Sequence, residues 1–184
     1  MPGTSDRQII FPGISTAITP NEAAELGRLA ARCTVLELGA FYGYSTVLMA
    51  SVADMVYSVD WHRGDDHAGQ YDTWEGFRAN VMGYRVQDHV TAIKGRFEDE
   101  VPKLWRDGVR VDGAFLDGQH DVKSVRRDLD LALMLVKPGG WVAFHDYGRC
   151  ADNGHPGFEV TEVADEFGVT GVVGFLAWGI YEPG

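Results

Sequence analysis

The stretch Thr34-Val-Leu-Glu37-Leu-Gly39-Ala-Phe41-Tyr-Gly43-Tyr-Ser45-Thr46 decides the fold. An apolar run that stops at a glycine has the look of a buried parallel strand, here 34–38. Two glycines let the backbone turn tightly and approach a ligand closely. The helix expected next, over 44–52, offers free N–H groups and Ser/Thr hydroxyls suited to a carboxylate or phosphate. Asp60 ends the following expected strand, 55–59, where an acid can accept both hydroxyl protons of a ribose. In this order, and at these spacings, the pieces point to a ribose-containing cofactor.

Working outward, residues 1–20 are punctuated by glycine and proline and read as an irregular lead-in. Pro20-Asn21 opens a helix to about Ala31, with Ala24, Leu26, Leu29 and Ala30 as its apolar side. Further helices are expected over 73–82, 97–105 and 158–167, and strands over 90–93, 111–116 and 141–144. Val122, Val125, Leu129, Leu133 and Val136 mark the apolar stripe of one more helix, stopped by Lys137-Pro-Gly-Gly. Residues 169–173 and 176–181 close as a hairpin around Gly174. Strands alternating with helices predict an α/β, doubly wound sandwich on a seven-stranded, mostly parallel sheet, with an antiparallel strand at the edge where no helix intervenes. Ligands of such sheets bind beyond the carboxyl ends of the strands.

Length and composition agree. The 184 residues suit a single domain, and 45% apolar with 23% charged residues describes a globular chain. A net charge of −11 argues against nucleic acid and against an anionic membrane surface as partners. Cys33 and Cys150, the only two cysteines, form neither a disulfide framework nor a zinc knuckle and read as reduced thiols. The first residues lack a signal-peptide layout, and the apolar stretch 171–180 is too short to span a bilayer, so a cytoplasmic protein is expected. A homo-oligomer stays open.

The glycine spacing narrows the cofactor. A dinucleotide fingerprint has glycines at its first, third and sixth positions. Here they stand at the first and fifth, with bulky Phe41 and Tyr42 between, which leaves poor access for a pyrophosphate. The turn resembles motif I of class I S-adenosylmethionine-dependent methyltransferases, and 35–45 is similar to the corresponding stretch of catechol O-methyltransferases. The resemblance implies a Rossmann-like methyltransferase sandwich over 1–184, with S-adenosyl-L-methionine as cofactor. It places Glu37, Gly39, Gly43 and Ser45 along the methionine part, Asp60 on the ribose and Trp61 by the adenine. Arg96 and Phe97 stand where the adenine amino group is met. Related enzymes fold a cap from the lead-in, for which Ile14-Ser15-Thr16 is the candidate.

Asp117 and Asp146 end strands expected to be neighbours, about 4.8 Å apart. Two carboxylates at one rim either share a hard divalent cation or divide, one facing the cofactor and the other meeting a cap or an arginine. The pattern Asp117-Gly-x-His120, then Pro-Gly-Gly and His145-Asp146-Tyr147, resembles small bacterial methyltransferases and the magnesium-dependent O-methyltransferases of macrolide sugars. That resemblance implies Asp117 and Asp146 as Mg2+ ligands, Asp117 also beside the cofactor, and His120 as general base. His145 stands where those enzymes often carry a second acid, and Tyr147 where catechol enzymes carry asparagine; both are candidate substrate contacts.

The polar loop 61–72 has the composition of a lid, of a metal site (His62, Asp65, Asp66, His67) or simply of a solvated polar loop, with His67 the candidate facing the substrate. The function expected is methyl transfer to a hydroxyl of a small-molecule acceptor, assisted by metal. A non-catalytic protein that keeps the cofactor pocket and an NAD-dependent oxidoreductase, disfavoured by the glycine spacing, are the alternatives.

Overall fold

The computed structural model of the protein describes residues 11–64 and 69–183. Seven strands and six α-helices alternate through most of the chain: α1 (Pro20–Ala30), β1 (Thr34–Leu38), α2 (Tyr44–Ala50), β2 (Met55–Asp60), α3 (Trp74–Gly83), β3 (Val90–Lys94) and α4 (Phe97–Arg106). Then follow β4 (Val111–Leu116), α5 (Val122–Leu133), β5 (Val136–Phe144), α6 (Val160–Phe167), β6 (Gly171–Val173) and β7 (Leu176–Ile180). Their order in the sheet is β3-β2-β1-β4-β5-β7-β6. All pairings are parallel except those of β7, which runs antiparallel to both β5 and β6 and lies between them.

Alternation along the strands builds two cores. Val35 of β1 and Phe115 of β4 point to the layer of α1, α2 and α3, while Leu36, Leu38, Ala114 and Leu116 point to the layer of α4, α5 and α6. Strands buried on both faces are the signature of a doubly wound sheet. The start of α1 is fixed by a capping box in which Thr19 and Glu22 bond each other's backbone N–H, with Pro20 at the first helical position. Ala23, not Ala24, joins Leu26, Leu29 and Ala30 on its buried side.

One boundary differs from the sequence reading. The helix of the Val122 stripe ends at Leu133, and Val136 begins β5. The Leu135 carbonyl accepts from Val111 N–H and Val136 pairs with Val111, so sheet pairing captures the chain before the glycines are reached. The breaker residues 137–140 become an irregularity inside the strand, where the register shifts between Val111 and Gly113.

Strand order reverses between β1 and β4, the switch point at which open sheets leave a crevice. The two turns there touch. Gly39 has φ +96°, and a Cβ on it would come within 2.1 Å of the Asp117 carbonyl oxygen. Only glycine fits that position.

Candidate active site

A cavity of about 1010 Å³ runs along the carboxyl ends of β3, β2, β1, β4 and β5. Four inter-strand steps of about 4.8 Å make this row about 19 Å long. Ser15, Thr16 and Ile18 of the lead-in line one wall, and residues 154–156 with Phe158 line another. Of the five non-glycine residues with positive φ among those described, Phe41, His62 and Asp146 stand at or beside this row. Such backbone tends to collect at functional sites.

At the β1–β3 end, Asp60 ties the rim together. Its Oδ2 accepts the N–H groups of Ala40 at 2.7 Å and Phe41 at 2.9 Å, and its Oδ1 accepts that of His62 at 2.5 Å. A carboxylate offers about four acceptor sites, so about one remains for a ribose hydroxyl rather than two. The Arg96 guanidinium sits 4.2 Å from the Trp61 ring centroid, a cation–π pair on the cavity wall. Gly39, Ser45, Phe97 and Asp117 line the same cavity.

Four sequence-derived residues stand outside that lining. Glu37 is wholly buried beneath it, accepting from Ser45 and Ser58 at 2.6 Å and from Thr46. Burial raises its pKa to about 7, against the lowering effect of the three hydroxyls. It therefore supports Ser45 rather than touching a ligand. Gly43 is the N-cap of α2. Tyr147 turns to the α6 layer, where its hydroxyl donates to Asp165 at 2.9 Å. His62 is also withdrawn: its Nδ1 lies 2.8 Å from Thr73 Oγ1, and its ring packs on Trp74 and Phe77, so it anchors the base of the loop. Asp65, Asp66 and His67 lie outside the described residues.

At the β4–β5 end, His120 Nε2 lies 2.8 Å from Asp146 Oδ2, and the imidazole stacks on Phe158 at 4.0 Å. With Nε2–H donated to Asp146, Nδ1 is the basic nitrogen of the ring. That atom is buried. Asp146 Oδ1 faces Arg149 Nε at 2.9 Å and His145 Nδ1 at 3.4 Å. Burial works to raise the Asp146 pKa, but contact with His120 and His145 holds it well below the usual carboxylate range. His145 is almost fully buried, with Nδ1 3.2 Å from Asp117 Oδ1 and Nε2 3.7 Å from Glu22 Oε2. Burial disfavours its charged form, yet Asp117, Asp146 and Glu22 outweigh this and push its pKa up to about 12.

The sequence reading missed Glu22, Arg149 and Phe158. Glu22 carried a signal, the Thr-x-x-Glu capping pattern, but that pattern announces a helix start and not a partner for His145. Arg149 and Phe158 follow an expected strand end without a recognisable spacing.

Single ligand atoms of Asp117, His120 and Asp146 lie within 4.8 Å of one another, a cluster that invites a metal. Magnesium is bound through one or two carboxylates and keeps several waters. Asp117 and Asp146 would hold it here, and Asp146 Oδ1 is buried without a hydrogen-bond partner. A bound ion would lower the pKa of an acceptor hydroxyl.

A protein family described as a methyltransferase domain matches residues 36–147. The chain belongs to that family. A Sinorhizobium fredii protein named y4gI is 28% identical over 120 residues, which cover 61% of this chain and only 13% of that protein's length. Among solved structures, the O-methyltransferase TomG of Streptomyces achromogenes, involved in tomaymycin synthesis and crystallised with S-adenosylmethionine, superposes with a TM-score of 0.72. It is 22% identical, covering 91% of this chain and 82% of that one. An O-methyltransferase from Bacillus cereus in complex with S-adenosylhomocysteine gives 0.63 at 16% identity, covering 86% and 78%. At such identities the likeness is one of fold. Among the described residues, no helix is long and apolar enough to cross a membrane.

Proposed function

We propose that this protein binds S-adenosylmethionine along the row of strand ends and transfers its methyl group to a hydroxyl of a small-molecule acceptor. The observation that carries this reading is the His120–Asp146 pair at the far end of a cavity whose near end holds Asp60, Trp61 and Arg96. Family membership supports the reaction class, and TomG bound to S-adenosylmethionine supports the donor.

The nucleoside packs at the β2–β3 rim, with one ribose hydroxyl on Asp60 and the adenine beside Trp61. The methionine part follows the turn after β1, past Ser45. Asp117 abuts Gly39 and faces the positive sulfur, whose charge already activates the methyl group. What remains for the protein is alignment and the acceptor's proton. A bound donor would supply an activated methyl carbon; as the acceptor oxygen bonded to it and the carbon–sulfur bond broke to a neutral thioether, His120 would take the hydroxyl proton. Asp146 keeps the imidazole in the tautomer that can receive it and stabilises the imidazolium that forms. A cavity this size holds the cofactor together with an acceptor at the Phe158 side.

Titration calorimetry with S-adenosylmethionine, S-adenosylhomocysteine and NAD tests the donor. Heat with NAD and none with the other two would sink the reading. His120→Ala is expected to leave donor affinity unchanged while transfer to the best acceptor of a hydroxyl panel falls about 10²- to 10⁴-fold. Donor binding with no transfer by the unmodified protein to any acceptor would point instead to a non-catalytic binder.

A further inference from the structure

Glu37 is an interior acid, 0% exposed, held by three hydroxyls. Ser45 Oγ donates to its Oε1 at 2.6 Å, while Ser58 Oγ, at 2.6 Å, and Thr46 Oγ1 donate to its Oε2. Phe115, its register partner on β4, is apolar, and Asp117 at the end of that strand adds a negative charge. Among the described residues no ion pair joins Glu37 to a cation. A buried carboxylate without a counter-charge favours its protonated form.

The three hydroxyls differ in what lies behind them. Thr46 and Ser58 are sealed in the interior, 3.4 Å apart, whereas Ser45 lines the cavity. A serine hydroxyl carries one hydrogen and two lone pairs. While Glu37 is ionised, the Ser45 hydrogen is committed to Oε1 and the cavity meets only serine lone pairs. Once Glu37 holds a proton, its own O–H can donate to Ser45 Oγ, and the serine hydrogen is free to turn outward. Only that second arrangement offers Ser45 as a donor to an anion in the cavity.

We propose that Glu37 is a positioning residue for the methyl donor: by taking a proton it turns the Ser45 hydrogen toward the cavity, where it meets the carboxylate of the methionine part. Donor binding therefore draws a proton from solvent onto Glu37. The proposal rests on the methyl-transfer reading above, which runs the methionine part past Ser45. Linkage gives the sign. Below the Glu37 pKa of about 7 the acid already holds its proton, so binding takes up none. Above it, binding must supply the proton, and donor affinity falls as pH rises. Glutamine at this position reproduces the neutral form, since its amide donates where the carboxyl proton would.

Titration calorimetry with S-adenosylhomocysteine, repeated in buffers of different ionisation enthalpy, counts the protons exchanged on binding. At about pH 8 the unmodified protein is expected to take up close to one proton more than Glu37→Gln, and at about pH 6 no more than that variant. Subtracting the variant cancels exchange by the ligand's own ammonium. The ratio of the unmodified protein's Kd to that of Glu37→Gln should rise about tenfold across the same interval. Ser45→Ala keeps the acid but removes the hydroxyl that links it to the cavity; it should bind several-fold more weakly and lose the extra proton. If Glu37→Gln does not fold, Ser45→Ala supplies the same comparison. Equal proton counts and parallel Kd profiles in the unmodified protein and in either variant would overturn the proposal and leave donor binding standing. No heat with S-adenosylhomocysteine or S-adenosylmethionine would remove the methyl-transfer reading, and this coupling with it.

Discussion

Glu37 and Glu22 are hidden to the same degree, at 0% and 1% exposure, yet their carboxyls shift in opposite directions. Glu37, beneath the turn after β1, meets three hydroxyls, which solvate a carboxylate without supplying charge; burial prevails and its pKa rises to about 7. Burial pushes Glu22 upward as well, but His145 and the N–H groups of Phe175 and Thr19 outweigh it and bring the value down to about 2. The two acids differ in how far hydrogen bonds to the ionised form offset burial: they prevail at Glu22 and fall short at Glu37. The contrast runs through the whole cavity. At the β1–β3 end Asp60 accepts from backbone N–H groups and Arg96 lies on Trp61, whereas at the β4–β5 end carboxylates face histidines and an arginine.

The sharpest way to break that contrast is Asp146→Asn. Asparagine tolerates the left-handed backbone of this position, φ +63°, so the change is one of charge. It leaves His145 and Arg149 short of a counter-ion and His120 without its carboxylate. Methyl transfer should fall about 10²- to 10⁴-fold, and unfolding by urea should show a loss of about 3–5 kcal/mol. Calorimetry should find donor affinity nearly unchanged.

At the other end, Asp60→Ala should do the reverse. Losing its charged hydrogen bonds costs about 1.5–3 kcal/mol of turn and ribose stabilisation, which weakens the donor about 10- to 100-fold in Kd. Transfer at saturating donor should be nearly intact. An equal loss of kcat would merge the two ends into one unit.

The pH dependence of stability sharpens the comparison of the two glutamates. Glu22, lowered to about 2, supplies stability that is complete above its ordinary value of 4.5 and is lost as pH falls from there toward 2. Glu37, raised to about 7, acts with the opposite sign: its contribution is lost as pH rises from 4.5 through 7. Thermal melts across pH 2–8 should show Glu22→Gln flattening the acid limb and Glu37→Gln flattening the fall toward neutrality. Identical profiles for the two variants would remove the distinction. The smallest effect belongs to Arg96→Ala, which removes a cation–π contact worth about 0.5–1 kcal/mol and should raise the donor Kd a few-fold.

The contrast also governs what was legible in the sequence. The β1–β3 end is written in one short segment and one strand end, so Gly39, Ser45, Asp60 and Trp61, which line the cavity, could be picked out from glycine spacing, a strand-end acid and the resemblance of the turn to motif I. Asp117, His120 and Asp146 were legible as strand-end residues, and the structure brings their ligand atoms together. Their partners were not legible. No local pattern joins Glu22 on α1 to a histidine after β5, or predicts that Phe158 will stack on His120. The boundary at Val136 escaped for a related reason. Its spacing continues the helical stripe, and only pairing with Val111 shows that it belongs to the sheet. Glu37 and Tyr147 were assigned to ligands because of where they fall in a motif, yet both side chains are committed to neighbouring polar groups.

The bond from Phe175 N–H to Glu22 joins residues 153 positions apart. On a ribosome α1 emerges long before the hairpin that closes on it, and domains generally fold in the order they are made. Until that hairpin arrives, Glu22 lacks its bond from Phe175 N–H. Contacts so distant in sequence come late in folding. The charge cluster thus works as a completeness check, since the β4–β5 rim acquires its working arrangement only after nearly the whole sheet has been laid down.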